Sequence, residues 1–359
     1  MVLNLDGEPA VVVLTVERYN LLMQKDLITK SQESKRGKNQ KVLVTGGAGY
    51  IGGHLVKELI KAGYEVVVLD NLSTGRRENV DEATTFVEGD LADENLLTDL
   101  FSNNEFEAVF HLAASLEVEE SVREPQKYLE NNAIKTFKLL KAMDEAGCRK
   151  IIFSSTAAVY GPNENLIAEI SPLKPNNPYG ASKLLAERII KYFCEHMGFS
   201  AVVFRYFNAC GFAPGTNIVP THQSHLIYNV MMVAKGEQPN LQVFGKDYNT
   251  FDGTCVRDYV HVLDVAYPHI LALEKLDFGP MFEVYNIGSG KGSSVEQVAN
   301  TAAEVINKII PMEIAPRRAG DAAITVSDNS KLRTGLGYEL KYSNLENIIN
   351  TSWEVIKNI

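Results

Sequence analysis

The chain is short of positive charge: 35 Lys and Arg stand against 45 Asp and Glu, a formal net charge of −10 over 359 residues. That balance excludes a general electrostatic hold on nucleic acid or on an anionic membrane, so a bound polyanion must be small and locally gripped. Cysteine is scarce too. Cys148, Cys194, Cys210 and Cys255 fall at wide, irregular intervals with no C-x-x-C pair, which suits neither a zinc site nor a disulfide framework, and no metal is expected. Long apolar runs are missing: Ala10 to Leu14, the longest near the start, falls far short of the ~20 residues of a membrane span, and the acidic Asp6 and Glu8 precede it. These absences point to a cytoplasmic protein. The hydrophobic content of 45% is ordinary for a globular chain with a sizeable core.

From Lys41 onward, β-branched runs alternate with helix-like segments: Lys41 to Thr45, Glu65 to Leu69, Glu107 to Leu112, Lys150 to Ser154 and Ser200 to Phe204. The alternation predicts an α/β fold with a doubly wound parallel sheet of Rossmann type, followed by a smaller α/β domain. Ahead of it, Ser31 to Gln40 holds no large apolar residue and reads as a linker. GEPAVVVLTVERYNLLMQ, before the linker, reads as a strand and a short amphipathic helix. The expected divisions are an extension over 1–40, a nucleotide-binding domain over 41–208 with a later crossover near 258–287, and a second domain over 209–359.

The first strand of the alternation ends in TGGAGYIGGHL, with Gly46, Gly49 and Gly52 between a strand and a helical pattern. Such a turn lets backbone N–H groups and a helix N-terminus approach a pyrophosphate. The second strand ends at Asp70, about 20 residues on, where a carboxylate can accept the ribose hydroxyls of a dinucleotide. Together they predict NAD, with Asp70 as a turn cap the plainer alternative. Arg76 and Arg77 are the feature that would instead suit the 2′-phosphate of NADP. Further along, NPYGASK places Tyr179 and Lys183 four residues apart, with Asn177 as N-cap and Pro178 as first helical residue. The two side chains therefore share one helix face. A phenol beside an ammonium can act as acid or base, provided that its pKa falls by roughly 3 units; a surface Tyr and Lys would be the alternative.

TGGAGYIG, FVEGDL, SSTAAVYG, NPYGASK, RYFNACG and DGTCVRDYVHVLDVA together resemble the UDP-galactose 4-epimerases of the extended short-chain dehydrogenase/reductase family. The likeness runs from Lys41 to the C-terminus, and DGTCVRDYVHV is its most specific part. It implies Tyr179 as acid/base, Lys183 as its tuning partner and ribose ligand, and Thr156 as hydrogen-bond donor to the reacting sugar oxygen. Gly46, Gly49, Tyr50, Ile51, Gly52, Asp70 and Asn71 would hold NAD, with Asp90 and Leu91 beside adenine and Asn131 towards the nicotinamide. Asn131 as a helix cap is the alternative. Asn208, His225, Leu226, Arg257, Arg318 and Asp321 would bind the UDP-sugar, the two arginines holding its diphosphate; an Arg257–Asp258 ion pair is the alternative for the first. Seven residues past Arg318, Thr325 replaces a large tyrosine of glucose-restricted enzymes, which implies room for an N-acetyl group unless Ile324 fills it. The family is usually a homodimer.

The pattern departs in three places. Leu116 stands where bacterial enzymes carry a lysine, Glu119 where glycine is usual, and Phe212 to His225 differs from the common sequence. The resemblance implies reversible inversion of a UDP-hexose at C4 through a 4-keto sugar. The rivals are a 4,6-dehydratase, a UDP-pentose or uronate epimerase, and a catalytically silent NAD sensor. In the dehydratases an Asp-Glu pair replaces Ala157 and Ala158, and a silent sensor has no need of Tyr179 and Lys183.

Overall fold

The computed structural model describes residues 2–5, 8–11, 40–161, 166–216, 218, 225–318 and 321–359, in two units, Met1–Lys38 and Asn39–Ile359. In the first, β1 (Val2–Leu5) pairs antiparallel with β2 (Glu8–Val11), Leu5 opposite Glu8. The helix expected after β2 and nearly all of the linker before Gln40 lie outside the described residues.

In the second unit, β3 (Lys41–Thr45), β4 (Glu65–Asp70), β5 (Thr85–Glu88), β6 (Ala108–His111), β7 (Lys150–Thr156) and β8 (Ser200–Tyr206) lie in one parallel sheet. The chain then makes β9 (Asn208–Cys210), β10 (Leu241–Phe244) and β11 (Val256–His261), and re-enters that sheet as β12 (Met281–Ile287) beside β8. The strand order is β12-β8-β7-β6-β3-β4-β5. It reverses between β3 and β6, and doubly wound sheets bind ligands at that switch point, beyond the carboxyl ends of the strands. Thr45 at the end of β3 stands opposite both Leu69 and His111.

The central strands are largely apolar because both faces are covered. Val42, Val44, Val66, Val68, Ala108, Phe110 and Ile152 pack on one face, while the alternate Leu43, Val67, Val109, Ile151 and Phe153 pack on the other. Beyond β12 come β13 (Gly292–Ser294), β14 (Met312–Ala315) and β15 (Ile324–Thr325). β11 is paired with β9, β13 and β15, and β10 with β14. A separate core joins the helices Leu226–Lys235, Val295–Ile306 and Leu345–Ile356 to Leu241 and Val243.

Two buried aspartates in the run VRDYVHVLD tie these parts together. Asp258 accepts hydrogen bonds from the amides of Ser289, Gly290 and Ser327 and from the hydroxyls of Ser289 and Ser327. Asp264, at the start of the helix Val262–Lys275, accepts from the Tyr338 and Ser343 hydroxyls and from the amides of Lys341 and Tyr342. A buried carboxylate is costly unless its lone pairs are filled, and here several donors from distant segments fill them. No described helix is long and apolar enough to cross a membrane.

Candidate active site

At the switch point the three glycines serve different physical ends. Gly46 has φ +76, and a Cβ on it would sit 2.6 Å from the Ala113 amide nitrogen, so glycine is what lets the turn after β3 meet the loop after β6. A Cβ on Gly52 would lie 2.1 Å from the Gly46 carbonyl oxygen, inside the turn itself. Gly49 has only that oxygen nearby, at 3.3 Å. It precedes the helix Tyr50–Lys61, whose first residues Tyr50, Ile51 and Gly52 line the cavity beside it, an arrangement suited to a pyrophosphate.

Asp70 serves as the turn cap and lies on the cavity wall. One carboxylate oxygen accepts from the Ala48 amide at 3.0 Å and the other from Leu72 at 2.9 Å, bracing the glycine turn, and lone pairs remain for ribose hydroxyls. Burial raises its pKa, against those two amide bonds. Nearby, Asn71 donates to Asp90 at 2.6 Å, and Lys135 pairs with Asp90 at 2.7 Å, holding its carboxyl below its ordinary value against burial. Arg76 and Arg77 do not line the cavity; Arg77 lies over the Phe86 ring at 4.6 Å.

The end of the cavity that holds Tyr179 and Lys183 is built where β7 meets the helix Pro178–Met197. Asn177 caps that helix through the Gly180 amide at 2.8 Å, and Pro178 is its first residue. A Cβ on Gly180 would stand 2.2 Å from the Ala158 carbonyl oxygen, so this glycine lets the helix start press against the turn after Thr156. There the Thr156 hydroxyl, which accepts from the Ala158 amide, lies close enough to Tyr179 to influence it. Burial is the larger influence and raises the Tyr179 pKa; Thr156 lowers it and the Glu117 charge raises it. The fall that proton transfer asks for is thus not produced by these side chains.

Lys183, one turn on, is buried, and its ammonium lies 4.3 Å from the centre of the Phe153 ring. Burial pushes its pKa down to about 7, partly offset by the charge of Glu187. Glu187 is itself buried in a two-pronged pair with Arg205 at 2.6 and 3.0 Å. Arg205 also donates to the Tyr160 hydroxyl at 2.8 Å, and Ser155 donates to Glu187.

Between the helices Pro125–Leu129 and Lys135–Glu145, residues Glu130–Ile134 form a π-helical turn, a feature frequent at functional sites. Asn131 lies inside it and caps neither helix; it donates to the Ser115 hydroxyl at 2.8 Å. Asn132 holds Ser115 through both backbone groups and reaches the Ser182 hydroxyl at 3.0 Å.

Opposite, Asn208 donates to the Asp258 carbonyl at 2.9 Å. Arg257 pairs with Asp321 at 3.3 Å and donates to the carbonyls of Val256 and Ala322. This corrects the Arg257–Asp258 alternative: Asp258 is saturated by serine and glycine donors, so Arg257 turns to the other side of its strand. Arg318 lies over the Phe244 ring at 4.0 Å. Thr325 is paired in register with Arg257 on β15.

The residues expected to hold cofactor or substrate line one cavity of about 1060 Å³, from Gly46 and Asp70 past Tyr179 and Lys183 to His225, Leu226, Arg318 and Thr325. Thr325 lines the cavity and Ile324 is not among its lining residues. Leu116 and Glu119 also face the cavity. The Phe212 to His225 departure lies partly outside the described residues. Among described residues, no group of three or more His, Cys, Asp or Glu is placed to hold a metal.

The profile of the family described as "NAD dependent epimerase/dehydratase family" matches residues 42–288. The chain belongs to that family. Among family members, a UDP-glucose 4-epimerase of Lacticaseibacillus casei is 44% identical over 320 residues, 88% of this chain and 97% of that protein. The structure of the UDP-glucose 4-epimerase of Brucella ovis in complex with NAD superposes with a TM-score of 0.85 at 39% identity, covering 89% and 98% of the two chains. The UDP-Glc/GlcNAc 4-epimerase of Campylobacter jejuni gives 0.78 at 38% identity, covering 89% and 100%.

Sequence reasoning passed over Glu117, Lys135 and Tyr206, which also line the cavity of this epimerase/dehydratase family member. Lys135 carried no signal until Asp90 was seen beside it. Tyr206 was visible as the aromatic of RYFN, and its hydroxyl meets His269, whose other ring nitrogen faces the Val265 carbonyl.

The depressed Lys183 pKa has a consequence for stability. Between about pH 7 and the ordinary lysine value near 10.4, the unfolded chain holds the proton that the folded chain releases, so stability rises with pH through that window. Below about pH 7 the cost of the buried charge is largest, on the order of 4 kcal/mol. Lys183→Met should therefore stabilise the ligand-free protein most at pH 6, with the gain shrinking towards pH 10, in paired urea unfolding curves. A difference independent of pH would contradict the buried-ammonium account.

Proposed function

We infer that this chain catalyses the reversible 4-epimerisation of a UDP-hexose, interconverting UDP-glucose and UDP-galactose through a 4-keto sugar, with NAD as its resident cofactor. The observation that carries the reading is the meeting of Tyr179, Lys183 and Thr156 at the carboxyl edge of the sheet, in one cavity with a dinucleotide turn and two arginines. The relatives at 40–45% identity carry the name UDP-glucose 4-epimerase, and the Brucella ovis structure holds NAD.

The residues fit NAD. Gly49 opens the turn, Asp70 keeps free lone pairs, and among the described lining residues the cation on that side, Lys135, is bound to Asp90. A 2′-phosphate would meet the Asp70 carboxylate instead of a guanidinium. When bound, NAD supplies the acceptor and donor of the C4 hydride and a positive charge that favours the Tyr179 phenolate.

In the proposed roles, Tyr179 takes the proton of the 4-hydroxyl and returns it, and Thr156 donates to the same oxygen. Lys183 favours the phenolate and holds the ribose. Arg257, on its strand, and Arg318 grip the diphosphate while the sugar turns to present its other face. Elimination is disfavoured because Ala157 and Ala158, which line the cavity beside Thr156, offer no carboxylate.

Residues 209–359 are proposed to carry most of the UDP-sugar contacts. A homodimer belongs to the same reading, supported by exposed Leu129, Phe137, Leu185 and Tyr192 on neighbouring helices, an apolar face typical of an association surface. So does a cytoplasmic setting, supported by four free cysteines. The substrate breadth proposed includes UDP-N-acetylglucosamine, because Thr325 lines the cavity and Ile324 does not.

Purified full chain given UDP-galactose without added cofactor should form UDP-glucose by NMR, and Tyr179→Phe should fold, keep its NAD and turn over about 100-fold or more slowly. No product from the wild type, or near-normal turnover of folded Tyr179→Phe, would overturn the reading. For breadth, wild type should epimerise UDP-N-acetylglucosamine, and Thr325→Tyr should lose that activity selectively through steric exclusion. Equal impairment of both substrates would remove Thr325 from the role.

A further inference from the structure

The two arginines of the cavity are held in unlike ways. Arg257 is fixed on its strand by the Val256 and Ala322 carbonyls at 2.9 and 2.8 Å as well as by Asp321, so its guanidinium is set before any ligand arrives. Arg318 rests its guanidinium on the Phe244 ring at 4.0 Å, and its Nε stands 3.7 Å from Oε1 of Glu119. Glu119 comes from a distant segment of the chain, the helix Val118–Arg123, and both residues line the cavity. At 3.7 Å the attraction is that of two charges and not of a short hydrogen bond.

We propose that Glu119 is a competing counter-ion: it engages the guanidinium of Arg318 that a nucleotide diphosphate also requires, and so weakens binding of UDP-sugar and UDP without touching the chemical step. The proposal rests on the diphosphate role given to Arg318 above. A diphosphate brings more charge and several acceptor oxygens to a guanidinium than one carboxylate does, so it wins the arginine, and the Glu119 contact is lost on binding. The loss is small. Arg318 is 45% and Glu119 74% exposed, and an ion pair so open to water is screened, which corresponds to about two- to five-fold in affinity. Screening by salt acts on the pair in the same way.

The test is titration of the purified full chain with UDP by calorimetry, alongside KM and kcat for UDP-galactose, for wild type, Glu119→Gln, Arg318→Gln and the double variant. The expected result for Glu119→Gln is a UDP Kd and a KM each lower by about two- to five-fold at low salt, a smaller gain at high salt, and kcat unchanged. In the Arg318→Gln background the same substitution should have no effect, because the contested group is gone. Unchanged UDP affinity in Glu119→Gln would overturn the proposal. So would an equal gain in the Arg318→Gln background, which would mark simple repulsion of the ligand by Glu119. A wild type that binds UDP yet does not turn over UDP-galactose would overturn the epimerase reading instead.

Discussion

The site depends on keeping an ammonium where water does not reach. Lys183 is buried, and burial, against the charge of Glu187, pushes its pKa down to about 7. The surrounding sequence is arranged against that tendency. The Phe153 face stands beneath the charge, Glu187 contributes a negative charge one turn along the helix, and Arg205, Ser155 and Tyr160 hold Glu187 in place. Removing Glu187 or Arg205 would leave the other buried charge without its partner, so that pair acts as a unit. Motifs that look separate in the sequence, SSTAAVYG, NPYGASK and RYFN, are the three sides of this one arrangement.

A second constraint is closeness of backbone. Gly46 against Ala113, Gly52 against the Gly46 carbonyl and Gly180 against Ala158 are approaches that a Cβ would block. The first two form the turn at the switch point of the sheet, and the third seats Tyr179 beside Thr156. The glycine turn and the Tyr179–Thr156 end of the cavity are thus placed by the same device. Between them the sheet supplies a rigid floor, because β3, β6 and β7 are buried on both faces.

The parallel sheet was legible in the sequence because doubly covered strands read as continuous β-branched runs, and the helix bearing Tyr179 and Lys183 was legible because Asn177-Pro178 marks its start. β5 and β12 were harder: Thr85–Glu88 is only partly buried, and Met281–Ile287 joins its neighbour β8 from far along the chain. Roles set by distant partners could not be read at all. Arg257 turns to Asp321 rather than to adjacent Asp258, Lys135 finds Asp90 from 45 residues away, and Glu119 meets Arg318 from a distant segment of the chain. A π-helical turn, which Asn131 occupies, has no local sequence signature either, and the side chain that local reasoning would make a cap faces Ser115 instead.

The central claim is that the hydrogen on C4 leaves the sugar and comes back within one cavity. UDP-galactose carrying deuterium at C4, turned over in ordinary water without added cofactor, measures this directly when the UDP-glucose formed is examined by NMR. The account predicts that the product retains deuterium at C4, since a hydride does not exchange with water and the site does not release the keto sugar. Product carrying solvent hydrogen at C4 would contradict it.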